Sequence, residues 1–348
     1  MTRSYNTAVK ADARNSIELL LRDEIARHGP VRFDRFMEIA LYHPQFGYYR
    51  RQRGPFGKEG DYYTAEQLQP VFGILIASAI RSLRSELGNP EGFTVVELGA
   101  GRGEMSEAFR DFCYIPVDIA THYWPERFTG VIFANEFFDA LPVRRFVRTA
   151  GEYSESLVAW KNEHGFFFVN GAKASGPALE YLDRYAAVRE VVEWNDRAER
   201  ILADITRRLE RGFLVAIDYG YAAAEAIRFP QGSLMSYRRH QALEDVLRNP
   251  GEQDITAHVA FDALIEVAER NGMELVRLES LAQLLLRTGE PDKFAEALRA
   301  PLADEETRRR LQLKTLLFSM GDVFRVLILR KRDQTKKGPD ESGPLHEP

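Results

Sequence analysis

A single cysteine, Cys113, stands among 348 residues, so neither an internal disulfide nor a cysteine-based zinc site can form. Between Phe112 and Tyr114 it reads as a small buried apolar residue rather than a nucleophile. No apolar run approaches the ~20 residues of a membrane-spanning helix; the longest extends from Val71 to Ile80. The N-terminal stretch carries Arg3, Lys10, Asp12 and Glu18 with no apolar core of a secretory signal, and a reducing cytoplasm is the expected location. There is no excess of positive charge: 47 Lys and Arg face 52 Asp and Glu, a net charge of −5, which argues against a nucleic-acid footprint or a polybasic membrane anchor. The seven histidines lack the spacing of a zinc or di-iron site, so no metal is expected. A Gly-x-Ser-x-Gly nucleophile elbow is also missing. Residues 333–348 hold almost nothing apolar and are expected to be disordered.

What is present is an alternation of strand and helix patterns. Apolar spacing at Ile17, Leu20, Leu21 and Ile25 fits a helix, a second short helix ends before His43-Pro44, and 69–87 forms a good amphipathic helix. From Phe93 onward, strands are expected at 93–98, 114–117, 131–134, 213–217, 273–278 and 323–329, with helices between them. That order implies a mainly parallel sheet covered on both faces. Alternating apolar residues on either side of Asn162-Glu163-His164-Gly165 predict an inserted hairpin over about 147–172. A mostly helical stretch over about 281–317 precedes the last strand. The expected organisation is an N-terminal helical cap and aromatic loop over 1–90, a core over 91–332 carrying both insertions, and the tail.

The most informative string is Val95-Val96-Glu97-Leu98-Gly99-Ala100-Gly101-Arg102-Gly103. β-Branched residues lead to an acid, then glycines on alternate positions let a strand end turn sharply into a helix with backbone open to a ligand. A dinucleotide fingerprint, G-x-G-x-x-G/A, would put a small residue where Glu104 stands, which disfavours a nicotinamide oxidoreductase. The pattern instead resembles motif I of S-adenosylmethionine (SAM)-dependent methyltransferases. A bland glycine bend is the competing reading. A second apolar run, Tyr114 to Val117, ends in Asp118, about twenty residues after Glu97, where a carboxylate takes ribose hydroxyls.

Longer strings point the same way. Asn135-Glu136-Phe137-Phe138-Asp139-Ala140-Leu141-Pro142, Asp218-Tyr219-Gly220, Tyr237-Arg238-Arg239-His240 and Gln253-Asp254-Ile255-Thr256-Ala257-His258-Val259 resemble the MidA-like family of SAM-dependent methyltransferases. Phe36-Met37, Gly47-Tyr48-Tyr49 and Gly60-Asp61-Tyr62 add to the likeness, which covers about 17–329. The resemblance implies an α/β fold: a Rossmann-like class I methyltransferase sheet with an N-terminal helical cap, an inserted β-hairpin and a helical insertion before the last strand. It also implies SAM as cofactor and an arginine of a protein acceptor as substrate, the family including a mitochondrial complex I assembly factor of that activity. A respiratory-complex subunit is then the acceptor, with a homodimer among the partners considered. The chain departs from the family after Asp118, where too few residues precede the fourth strand to hold a third strand and its helices, so the third strand or its flanking helices are expected to be missing or vestigial, in a region that supplies part of the adenine pocket in this fold.

The expected cofactor-binding residues are Glu97, Gly99, Gly101, Gly103, Asp118 and Asn135. Because a guanidinium is always charged and a poor nucleophile, carboxylates must hold its plane and offset its charge. Glu136 is the first choice for that role and Asp139, which competes with a turn-cap reading, the second. His240, Asp254 and His258 are candidates for the acceptor groove. Against this, Asp254 and Thr256 read as an N-cap for a helix near Phe261, and His258 as a structural hydrogen bond. The tyrosines of 47–63 read as a lid or as packing for the N-terminal helices. Two other functions stay open: a small-molecule methyltransferase, and an assembly or chaperone-like factor that keeps the fold but has lost efficient catalysis.

Overall fold

The computed structural model describes residues 16–50, 65–118, 124–238, 241–243 and 245–332. The expectations for the tail, for His240 and for the aromatic loop 51–64 lie outside them. Numbered along the chain, helix α1 (16–28) is followed by a two-residue strand β1 (Val31–Arg32), α2 (Phe33–Tyr42) and α3 (Val71–Glu86).

All six expected core strands are present. They are β2 (Thr94–Leu98), β3 (Cys113–Val117), β4 (Phe128–Asn135), β9 (Leu209–Tyr221), β14 (Met273–Ser280) and β15 (Phe324–Lys331), joined by the short β13 (Val259–Ala260). The order is β14-β15-β9-β4-β2-β3, with β13 beside β9. β3, β2, β4 and β9 run parallel, whereas β15 and β14 are antiparallel additions. Unbroken runs of Val, Ile, Leu and Phe suit strands covered on both faces. Val95, Val131, Phe133, Phe213 and Val215 face one core, shared with α3 and α7 (Leu281–Gly289). Val96, Ile132, Leu214 and Leu327 face the other, shared with α5 (Asp196–Arg208) and α6 (Phe261–Arg270). Each buried side chain of this kind contributes about 1.5–3 kcal/mol.

Register brings the chemistry to one edge. Leu98 pairs with Ala134, and Ala134 with Ala216, so the residues just past β2, β4 and inside the end of β9 lie level. Ligands bind at this carboxyl edge of such sheets. Among the described residues no strand lies outside β3, in keeping with the short spacing after Asp118.

Two local expectations are corrected here. Residues 101–112 are not a regular helix but successive turns, with Gly103 N–H on Ala100 O at 2.7 Å, Ser106 on Gly103 at 3.0 Å and Phe109 on Met105 at 3.0 Å. Positive φ at both Gly101 (53°) and Gly103 (82°) breaks the right-handed path at the point where a helix would have to start. Cys113 is exposed rather than buried, because it opens the rim strand β3 and no further strand among the described residues covers it.

Between β4 and β9 the chain builds a second sheet from β5 (Arg144–Thr149), β6 (Glu152–Lys161), β7 (Gly165–Lys173) and β8 (Val191–Trp194), with α4 (Pro177–Tyr185) before β8. The N-terminal β1 joins its edge, Val31 against Val158. Phe33 packs on Phe168 and Phe36 on Phe166, each with ring centroids 5.5 Å apart, so the N-terminal helices and this sheet share one core. A three-stranded sheet, β11-β10-β12, follows from β10 (Leu234–Arg238), β11 (Gln241–Leu243) and β12 (Asp254–Ala257). α7, α8 (Ala295–Leu298), α9 (Ala303–Lys314) and a π-helical turn over Thr315–Met320 lie between β14 and β15 and pack on α3.

Candidate active site

The loop after β2 is shaped by glycines that a side chain would obstruct. Gly99 has φ +73°, and a Cβ there would come within 2.9 Å of the Phe137 ring. The N–H groups of Gly99 and Ala100 donate to Val117 O at 2.8 and 3.2 Å, which folds the loop over the end of β3. Asp118 Oδ2 accepts from Gly101 N–H at 2.9 Å, and Glu104 Oε2 from Arg102 N–H at 3.0 Å. Glu97, 1 % exposed, accepts a hydrogen bond from the Tyr114 hydroxyl across the β2–β3 pair. Burial pushes its carboxyl up to about 7, against the pull of that hydrogen bond and with the push of Glu104 and Asp118.

The turn after β4 is built differently. Glu136 adopts φ +49°, a left-handed conformation that costs about 1–3 kcal/mol in a residue with a side chain. Its N–H donates to Ile217 O at 2.8 Å. Its Oε1 accepts from Ala65 N–H and from the Asn135 amide, both at 3.2 Å. Asp218 Oδ2 accepts from the Phe138 and Asp139 N–H groups at 2.8 and 3.3 Å, and its Oδ1 from Tyr219 N–H at 2.9 Å. The carbonyls of the same turn are also held: Phe138 O by Asn195 Nδ2 at 2.8 Å, Asp139 O by Ala257 N–H at 3.0 Å, and Ala140 O by the Tyr42 hydroxyl at 2.7 Å. Asp254 Oδ1 accepts from Tyr49 at 2.7 Å.

These residues form a cleft end crowded with carboxylates. Among the described residues no Lys, Arg or His stands within ion-pair distance of Glu97, Glu136, Asp139 or Asp218. Burial, then Asp139, pushes the Glu136 carboxyl up to about 8. Asp218 also rises to about 8, through burial and despite its three backbone donors. Asp139 lies well above the usual range because it is buried and faces the charges of Asp218 and Asp254. Glu66 is raised strongly by burial and by Glu97, Glu136 and Glu104. Tyr42, Tyr219 and Tyr237 feel the field of Asp139 and are held protonated, burial being the largest cause in each. Asn135, 6 % exposed, has an Oδ1 with no hydrogen-bond donor among the described residues. A buried orphan acceptor among under-compensated carboxylates is an arrangement completed by a cation that carries N–H groups.

The structure brings Glu97, the glycine loop, Asp118, Asn135, Glu136, Asp139 and Asp254 to one edge. His258 Nδ1 meets Ser233 O at 3.0 Å and its ring packs on Phe229 and Tyr219, while burial lowers its pKa. Asp254 and Thr256 are not helix caps. They lie in β12, and α6 begins after Ala260 with no side-chain cap. Glu66, Tyr114 and Asn195 are not among the expected site residues, since each reaches the site from another segment of the chain, whereas Tyr49 belongs to the aromatic stretch singled out above.

Comparison with known proteins agrees with this arrangement. A family model described as "Putative S-adenosyl-L-methionine-dependent methyltransferase" matches residues 109–278. The Protein arginine methyltransferase NDUFAF7 homolog, mitochondrial, of Drosophila melanogaster is 28% identical, over 74% of this chain and 71% of its own length. Protein arginine methyltransferase NDUFAF7, mitochondrial, of Danio rerio is 24% identical over 80% of each. A crystal structure from Burkholderia thailandensis bound to S-adenosyl-homocysteine superposes with a TM-score of 0.82 at 29% identity, covering 94% of this chain and 96% of that one. A second structure from the same organism gives 0.78 at 29% identity over 92% of each. The expectation of a cytoplasmic location is corrected by these relatives, which carry "mitochondrial" in their names.

Proposed function

We propose that this chain, which is similar to SAM-dependent methyltransferases of the MidA-like family, methylates an arginine side chain of a protein acceptor. The observation that carries this reading is the cleft end itself: Glu136, Asp139, Asp218 and Tyr219 gathered with no compensating cation among the described residues, where both the sulfonium and the guanidinium are cations. In this reading Glu97 and the orphan Asn135 Oδ1 hold the cofactor's amino group, Gly99, Gly101 and Gly103 let the backbone come close to it, and Asp118 takes the ribose hydroxyls. When bound, SAM supplies a methyl group already activated on positively charged sulfur.

The rest falls to the chain's own residues. Glu136 accepts guanidinium N–H bonds and fixes the plane, with the buried carboxyls of Asp139 and Asp218 behind it. Forming the new N–C bond makes one guanidinium N–H proton superfluous; Glu136, whose carboxyl burial raises and which the bound guanidinium would hold ionised, is the carboxylate placed to receive it. Asp254 with Tyr49 lines the acceptor groove, and His258 acts only by backing Tyr219. The N-terminal part, 1–90, and the hairpin of 147–172 serve as an acceptor-facing cap on a core over 91–332. A respiratory-complex subunit as acceptor and a homodimeric working form belong to the same proposal.

The test is incubation with methyl-labelled SAM and a mitochondrial extract, followed by acid hydrolysis of precipitated protein. Label in methylated arginine is expected; label confined to small molecules sinks the reading. A second reading, a factor that keeps the fold with weak cofactor binding, draws on the rim position of β3, where a further strand would wall the adenine. Titration calorimetry giving no heat with SAM or S-adenosyl-homocysteine at high micromolar concentration favours it.

A further inference from the structure

The Glu136 turn is held from three directions, and one hold comes from outside the main sheet's carboxyl edge. Asn195 is the residue before α5. Its Oδ1 accepts from Ala198 N–H at 2.9 Å, closing the first turn of that helix. Its Nδ2 donates to Phe138 O at 2.8 Å. With the amide reversed, oxygen would face the Phe138 carbonyl and nitrogen the Ala198 N–H, so only the observed orientation satisfies both. One side chain therefore ties the cap of α5 to the peptide two residues after Glu136.

That tie bears on the residue that most needs holding. Glu136 stays left-handed only while the peptides after it are fixed. Asp218 fixes the Phe138 and Asp139 N–H groups, whereas Asn195 fixes the Phe138 carbonyl, the opposite side of the same stretch. Without the carbonyl anchor the 138–139 peptide would keep one hold, the long 3.3 Å bond from Asp139 N–H to Asp218, and its reorientation would swing Glu136 away from Ala65 N–H.

We propose that Asn195 is a positioning residue for methyl transfer, setting the Glu136 carboxylate through the Phe138 carbonyl while it caps α5. This rests on the assignment of Glu136 to the acceptor. Asn195→Asp separates the two duties, because aspartate caps a helix as well as asparagine but cannot donate to Phe138 O. Asn195→Ser also keeps a cap and is too short to reach the carbonyl, without adding charge. Three readouts decide the matter: steady-state kinetics, SAM affinity by calorimetry, and amide hydrogen exchange.

Both variants are expected to lower kcat roughly tenfold to hundredfold, as sub-ångström misplacement does. Acceptor KM, SAM affinity and protection of the Ala198 amide stay near those of the unaltered chain, while protection of the Phe138 and Asp139 amides is lost. Unchanged exchange at 136–141 in both variants overturns the proposal. So does a kcat loss that only follows a fall in melting temperature. If the unaltered chain fails to methylate arginine, the functional reading falls, and the exchange at 136–141 still decides whether Asn195 holds the turn.

Discussion

The glycine half of the cleft takes its shape from positions that lack side chains, whereas the Glu136 half takes its shape from side chains that immobilise one peptide after another. Gly99, Gly101 and Gly103 reach positive φ without steric cost, and the loop is closed by a few backbone bonds to Val117. Glu136 reaches positive φ against its own Cβ and is kept there by Asp218, Asn195, Ala257 and Tyr42. The first half is permissive and suits a ligand met mainly by backbone. The second is braced, and suits a side chain that must point in one direction while a bond forms.

That contrast can be broken, and the largest effect is expected on the braced side. Glu136→Gln should cut methyl transfer by about 100-fold or more while SAM binding stays near normal. Turnover unchanged in that variant would remove Glu136 from the mechanism. On the permissive side, Gly101→Val forces a branched residue to φ +53° with Glu104 Oε2 only 3.3 Å from its Cβ. The strain of about 1–2 kcal/mol and the lost clearance should abolish the calorimetric signal for SAM. Retained affinity would place the cofactor elsewhere.

Tyr114→Phe sharpens the comparison more gently. It strips the hydroxyl from Glu97, leaving a buried carboxylate short of a donor at a cost of about 1–3 kcal/mol. SAM affinity should weaken while the Glu136 turn is untouched, so equal loss in acceptor KM would blur the two halves.

The smallest effect is on pH and stability. Glu97 at about 7, and Glu136 and Asp218 at about 8, lie above their ordinary carboxylate values. The folded chain therefore holds more protons than the unfolded one between those limits, and stability present below the ordinary carboxylate range is lost as pH rises toward about 8. Melting temperature should climb as pH falls from 8 to 6, and Asp218→Asn should flatten that climb. A melting temperature that instead rises with pH across this window would refute the assignment.

The same contrast explains what could be read without coordinates. Alternating glycines after an acid are a local pattern, so the permissive half was visible, as were the core strands with their β-branched runs. Glu136 and Asp139 came from a specific string, but their bracing did not. Asn195 reaches Phe138 across 57 positions and Tyr49 reaches Asp254 across 205, distances at which no periodicity speaks. Asp254 and Thr256 read as helix caps because a Thr or Asp before an apolar period usually is one, and pairing with β10 overrode that local preference. Cys113 read as buried because its neighbours are aromatic; only the strand order shows that it stands on the rim.

That rim has a consequence for how the molecule behaves in a crowd. Val117 turns its carbonyl toward β2 to receive Gly99 and Ala100, so the alternate residue, Pro116, turns its backbone outward. Proline has no N–H to offer there, and a foreign strand arriving at the open flank meets a missing rung. With no strand beyond β3 among the described residues, that border offers an arriving copy of the chain an interrupted row of donors.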